Sequence, residues 1–374
     1  MRTRAAVLYE MGLPRPYAES QPLKVQEVEL DPPGAGEVLV RVKAAGLCHS
    51  DLSVINGDRP RPLPMALGHE AAGVVEEPGP GVTDLEPGDH VVLVFVPTCG
   101  HCPPCMEGRA ALCEPGNAAN YAGTLMSGAR RLHAGGRDLY HHAGVSCFAE
   151  HAVLSRRSVV KIDRDLPLEE AALFGCAVIT GVGAVLNTAR VPAGATVAVV
   201  GLGGVGLNAL LAAKLAAARR IVAVDMLDDK LALARQLGAT DTFNAGAPDC
   251  AEEVRAATGG GVEYAFEMAG SAKAMELAYR ITRRGGTTVS AGLAHPEHRV
   301  SFQAVSLVAE ERTFRGSYMG SCVPQRDVPR FIDLYRQGRL PIDRLLSERI
   351  ELEDLNAGFD RLADGHTVRQ VVVM

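Results

Sequence analysis

Four of the chain's nine cysteines, Cys99, Cys102, Cys105 and Cys113, fall within fifteen residues. Pro97, Gly100, Pro103 and Pro104 bend the chain around them. Four thiolates in so short a lobe suit a closed, tetrahedral structural zinc site. An iron–sulfur cluster or unligated surface thiols are the alternatives; the spacing differs from the common ferredoxin runs, which favours zinc. A second set is dispersed: Cys48 in Gly46-Leu-Cys-His-Ser-Asp51, His69 beside Glu70, and Cys176 in Phe174-Gly-Cys. Two thiolates and an imidazole would leave one coordination position open, the arrangement of a catalytic zinc. Taken singly, Cys48 and Cys176 read as small buried hydrophobes and His69 as a core histidine.

A third run could hold phosphate. Gly201, Gly203, Gly204 and Gly206, with Val205 among them, follow a short apolar run and open an Ala- and Leu-rich helical segment. In that strand–turn–helix setting the first glycine permits a tight turn, the second admits a pyrophosphate, and the third packs helix against strand. The helix N-terminus adds unpaired N–H groups and partial positive charge. Asp225 closes the next strand, where a carboxylate can bind both ribose hydroxyls. Met226 and Leu227 follow it, so no Arg stands ready for a 2′-phosphate. The expected dinucleotide is NAD rather than NADP.

These groups need elements to position them. Runs 37–45, 71–77 and 90–96 read as short strands bounded by Gly, Pro or Asp, and nothing in the first half has a sustained helical period. Segment 116–136 reads as a surface loop. Segment 169–189 is Ala-rich and helix-like. Strands at 195–200, 221–225, 262–268 and 287–291 then alternate with helices at 205–218, 228–237 and 272–282, which predicts a parallel sheet covered on both faces. Helices are expected at 328–336 and 352–363, and a last strand at 369–373 that joins the first domain's sheet. The expected organisation is a discontinuous catalytic domain, 1–177 and 323–374, around a nucleotide domain, 178–322.

The 374 residues suit two domains that bury their cores without staples. A net charge of −6 argues against general nucleic-acid binding. The odd cysteine count speaks for metal ligation over a disulfide framework. Glycines interrupt the most apolar stretch, 191–215, short of a membrane span, and no signal peptide is read at the start. The expected location is the cytoplasm, with no membrane or nucleic-acid partner.

Taken together, Gly68-His-Glu-Ala-Ala-Gly73 with Gly79 and Val82, the four-cysteine lobe, the glycine run with Asp225, and Arg369 resemble the zinc-dependent alcohol dehydrogenases of the medium-chain dehydrogenase/reductase superfamily. The resemblance covers nearly the whole chain. It implies an α/β fold, a GroES-like β-rich catalytic domain plus a Rossmann doubly wound parallel-sheet domain, and reversible NAD-dependent oxidation of a primary alcohol. It implies two zinc ions per chain, a catalytic one on Cys48, His69 and Cys176 and a structural one on the lobe. Ser50 becomes the first hydroxyl of a proton relay, Asp51 the partner orienting His69, and Glu70 a carboxylate behind the metal. His49, Lys230 and Arg369 match positions near the cofactor's phosphates or ribose; Thr180 and Val205 match positions against the nicotinamide. Phe95 and His142 match pocket-lining positions and suggest an aromatic alcohol, with Arg59 facing a polar end or solvent.

Departures bear on the substrate. The relay's outer histidine is replaced by Ser53. The acidic and basic residues that hold a glutathione adduct in the thiol-dependent formaldehyde dehydrogenases fall on Arg59, Arg61 and Asn117. A mycothiol adduct, and a non-catalytic NAD(H)-binding protein on the same fold, are the remaining alternatives. The resemblance also implies a homodimer, or failing that a tetramer, paired through edge strands near 313–318.

Overall fold

The computed structural model describes residues Met1–Met374. They form two compact units, Met1–Cys176 with Val323–Ile332 and Ile342–Met374, and Ala177–Cys322 with Asp333–Pro341. Residues 333–341, expected with the first domain, group with the second unit. A change of composition marks where a chain leaves a core, but it does not register a short segment returning to it.

In the first unit, strands Arg2–Leu8, Leu23–Leu30, Leu132–Ala134, Arg137–His141 and Met65–Ala66 close a barrel. A seven-stranded sheet runs Val159–Ile162, His90–Leu93, Ala71–Pro78, Glu37–Gly46, Arg369–Val373 and Leu346–Ile350, with His151–Ser155 also pairing to Glu37–Gly46. The central strand is covered on both faces: Val38, Val40 and Val42 are buried with Leu93, Phe148 and Phe359, Leu39 packs into a second cluster with Val28 and Leu139, and Arg41 is exposed. Each such aliphatic side chain contributes roughly 1.5–3 kcal/mol on burial. The terminal strand joins this sheet as expected, Val371 opposite Gly46 and Val373 opposite Ala44.

Short helices, unforeseen in this half, sit at His49–Ile55, Pro103–Met106 and Glu114–Ala122. The last overlaps the start of the expected loop. Pro115 occupies its first turn, Cys113 Sγ accepts from the Gly116 amide, and Gly123 closes it in the left-handed region. Capping at both ends stabilises nine residues too few to show a period. The helical stretch 169–189 also breaks, because Cys176 leaves helical geometry at φ −142°, ψ −68°.

His141 is fully buried in this unit, and its Nε2 accepts from the Arg131 amide at 3.1 Å. Burial pushes its pKa down to about 4, against the pull of Glu37. Protonation of Nε2 would break that bond. An unfolded chain takes the proton near pH 6.5, so stability present above that pH falls as pH drops toward 4 and then levels off. The expected loss is about 3 kcal/mol. Denaturant titrations from pH 7 to 4 check it; a His141→Gln variant with the same slope as wild type would refute it.

The second unit has a six-stranded parallel sheet ordered Asp241–Asn244, Arg220–Asp225, Thr196–Val200, Val262–Glu267, Thr282–Ser290 and Thr313–Gly316. The order steps outward from the first strand in both directions, the doubly wound pattern. Thr196–Val200 is buried throughout, as a strand covered on both faces requires. Asp241–Asn244 is absent from the expected strands because three of its four residues are polar and all four are only half-buried. No single helix in the chain is long and apolar enough to cross a membrane.

Candidate active site

Cys48 ends the extended segment after Glu37–Gly46 and precedes helix His49–Ile55. His69 and Glu70 stand just ahead of strand Ala71–Pro78, and Cys176 follows the turn Leu173–Gly175. The fold brings one donor atom of each of these four within 4.8 Å of the others, all buried. Asp51, on the same helix as Ser50, accepts from His69 Nδ1 at 3.0 Å. That bond fixes the tautomer and turns Nε2 inward. Nε2 is buried with no hydrogen-bond partner.

The electrostatics suit a cation. A hydrogen bond from Cys176, then His69, hold the Cys48 thiol well below its ordinary range despite burial. Burial opposes protonation of His69, but Asp51 and Cys48 outweigh it and raise the imidazole to about 10. Asp51 is held low against its own burial by His69 and His142. Two converging cysteine sulfurs beside an unpartnered imidazole nitrogen are a donor set of the right number and softness for zinc. An occupied site would leave His69 neutral.

Glu70 Oε1 pairs with Arg369 Nη2, both groups buried. The guanidinium neutralises the carboxylate, whose Oε2 stays unpartnered beside the cysteines. Sequence reasoning sets Arg369 near a cofactor and cannot foresee this pair, since 299 residues separate its members. His142, expected to line a pocket, is 6% exposed. Its Nδ1 lies 3.1 Å from the same Asp51 oxygen, and its ring meets His69 edge-on. Burial lowers its pKa against the Asp51 charge. Phe95 packs edge-on against His69 from another direction, centroids 5.6 Å apart.

Other expected residues scatter. Ser50 is half-buried and His49 exposed at the start of the helix. Ser53 donates its hydroxyl to the His49 carbonyl. Arg59 is a half-buried loop residue, Arg61 lies over the Tyr121 ring, and Asn117 donates to the Cys113 carbonyl.

The four lobe sulfurs also lie within 4.8 Å of one another. Amides of His101 and Cys102 donate to Cys99 Sγ, and those of Cys99 and Gly116 to Cys113 Sγ. Burial works against ionisation of Cys99, yet its two amides bring it to about 6, while burial raises Cys105 to about 12. Four converging sulfurs, two of them served by paired amides, suit a closed tetrahedral zinc.

In the second unit, Gly201 has φ +91°, and a Cβ there would lie 2.7 Å from the Ala269 amide nitrogen. A Cβ on Gly206 would meet the Gly201 carbonyl at 1.8 Å, whereas one on Gly203 would meet nothing within 4 Å. The outer glycines are thus required by packing, and the middle one faces open space where a phosphate could approach. Helix Gly204–Leu215 starts there, with Val205 in its first turn. Asp225 Oδ2 accepts from the Leu202 amide at 2.7 Å and Oδ1 from Leu227, so the carboxylate also braces the turn. Thr180 is buried in helix Ala177–Gly183, and Lys230 is half-buried in helix Asp228–Leu237.

Residues 34–164 match the alcohol dehydrogenase GroES-like domain family, and residues 204–337 the zinc-binding dehydrogenase family. The chain is 41% identical to the NDMA-dependent alcohol dehydrogenase of Amycolatopsis methanolica, over all of this chain and 99% of that one. It is 38% identical to the S-(hydroxymethyl)glutathione dehydrogenase of Paracoccus denitrificans, over the full length of both. The solved structure of benzyl alcohol dehydrogenase from Acinetobacter calcoaceticus superposes with a TM-score of 0.93 at 32% identity, covering 100% of this chain and 99% of that one. The fold and the similarity define a GroES-like unit joined to a Rossmann-type unit. The chain belongs to the zinc-dependent alcohol dehydrogenases of the medium-chain dehydrogenase/reductase superfamily, and is an oxidoreductase acting on alcohols.

Proposed function

We propose that the chain oxidises a primary alcohol to an aldehyde, reversibly and with NAD. It would hold one zinc on Cys48, His69 and Cys176 and another on Cys99, Cys102, Cys105 and Cys113. The observation that carries the reading is the convergence of Cys48, Cys176 and the unpartnered His69 Nε2. When bound, zinc makes a coordinated hydroxyl more acidic near neutral pH, and NAD accepts the hydride.

The chain's own residues do the rest. Asp51 keeps the His69 proton on Nδ1, so that Nε2 remains a donor to the metal. Ser50 takes the substrate's proton and passes it outward. The Ser53 hydroxyl is already committed to a carbonyl, which supports water as the end of that path. Arg369 balances Glu70 and leaves the neighbourhood of the cysteines less negative. Gly201, Gly203, Gly204, Val205 and Gly206 cradle the pyrophosphate, and Asp225 takes the ribose hydroxyls, with no adjacent cation for a 2′-phosphate. His49, Lys230 and Thr180 are further cofactor contacts in this reading. Phe95 supports an aromatic substrate by walling the His69 side of the site, and Arg59 an anionic or polar end.

The edge strand Thr313–Gly316, open on one side, supports a homodimer, and we place the enzyme in the cytoplasm. A second reading, oxidation of a formaldehyde–thiol adduct, draws support from the Paracoccus relative. Arg59, Arg61 and Asn117 oppose glutathione as that thiol, because they stand where its acidic and basic anchors would be, and Arg61 and Asn117 are engaged with Tyr121 and the Cys113 carbonyl.

NADH appearance with aliphatic and benzylic primary alcohols, without added thiol, tests the proposal. Turnover is expected, highest with benzylic substrates. Silence there, with activity on formaldehyde plus mycothiol or glutathione, would transfer the function to the second reading.

A further inference from the structure

Glu267 ends the strand Val262–Glu267 and is fully buried, yet no Lys, Arg or His pairs with it. Its carboxylate is held by neutral donors alone. Oε1 accepts from the amides of Ala269 at 2.8 Å, Gly270 at 2.6 Å and Ser271 at 3.4 Å. Oε2 accepts from Ser290 Oγ at 2.7 Å. The turn so clamped has no slack against the glycine run. The Met268 amide donates to the Val200 carbonyl at 2.8 Å, one residue before Gly201. Ala269 lies where a Gly201 Cβ would be, and Met268 Cβ would touch a Cβ on Gly206 at 3.4 Å. Val200 and Glu267 are neighbours across the sheet, so both turns leave its carboxyl edge side by side. That edge is where doubly wound sheets bind their ligands.

We propose that Glu267 is a positioning residue for the dinucleotide: it locks the turn 268–271, which in turn fixes the outer glycines of the phosphate cradle. The inference rests on the dinucleotide reading given above. A carboxylate suits the task because one oxygen can accept several backbone amides of the turn at once, and hydrogen bonds to a charged acceptor are stronger than neutral ones.

The test uses the full-length enzyme with ADP-ribose as probe. Glu267→Ala is expected to weaken ADP-ribose binding about tenfold or more, equivalent to about one lost buried hydrogen bond to a charged group. KM for NAD rises with it, while kcat at saturating NAD and zinc content hold. Glu267→Gln, whose carbonyl oxygen still accepts the amides, restores affinity to within about threefold of wild type. Wild-type affinity in Glu267→Ala would overturn the proposal, as would kcat falling with ADP-ribose affinity intact. If Glu267→Ala does not fold, Ser290→Ala decides: weaker ADP-ribose binding supports the clamp, unchanged binding overturns it. A wild-type enzyme that failed to bind ADP-ribose would remove the dinucleotide reading itself, a result distinct from variants that bind as tightly as wild type.

Discussion

Replacing Cys48 by Ser is expected to lower alcohol turnover by about 10³-fold or more, while ADP-ribose binding stays within about twofold. A serine hydroxyl remains protonated near neutral pH and is a hard, weak ligand, so the donor set falls to one thiolate and one imidazole. The metal's several kcal/mol of charge stabilisation are lost with it. Dinucleotide affinity is expected to hold because the glycine run and Asp225 belong to the other compact unit. Three measurements decide the matter: the rate of NADH appearance, zinc per chain, and an ADP-ribose titration. Activity within tenfold of wild type in a protein with one zinc fewer would remove Cys48 from the mechanism.

Cys113→Ala is expected to act on the fold rather than the chemistry. Cys113 is fully buried, and its sulfur accepts amides from Cys99 and Gly116, so its loss empties the lobe of a ligand and orphans two N–H groups. Structural zinc contributes folding free energy directly. With about 2–4 °C of Tm per kcal/mol for domains of this size, a loss of several kcal/mol lowers Tm by about 10 °C or more. Zinc per chain should fall by one, and stability should fall far more than initial turnover per folded molecule. An unchanged Tm by calorimetry would show that the four sulfurs are not a structural metal site.

The difference between these two sites explains what can be read from the amino-acid order. The lobe is local: four cysteines within fifteen residues must meet wherever the segment folds, so their chemistry is legible in the linear spacing. The glycine run is local too, a turn between a buried strand and a helix, and Asp225 follows at the length of one crossover. The doubly wound order follows from strands alternating with helices, since parallel strands need those crossovers.

Where sequence reasoning fails, the determinants are either too short or too distant. The helix Glu114–Ala122 spans too few residues to display a period, and its caps, a sulfur and a left-handed glycine, are invisible in hydropathy. Strand Asp241–Asn244 lacks an apolar pattern because it sits at a sheet edge. Cys48, His69 and Cys176 form a set by resemblance, not by spacing.

The amino-acid order by itself therefore determined the lobe, the glycine turn, the parallel sheet and the division into two units, all governed by contacts within a few turns or one crossover. Tertiary structure alone decided that Asp51 faces His142 as well as the expected His69, that Arg369 reaches Glu70, and that Glu267 clamps the turn beside Gly201. The physical reason is the same for the first two. A buried charge must find its partner in space, and nothing in a linear spacing specifies which of many carboxylates or cations will be buried beside it. Glu267 adds a third case, a carboxylate satisfied by backbone amides, which carry no signature of side-chain type at all.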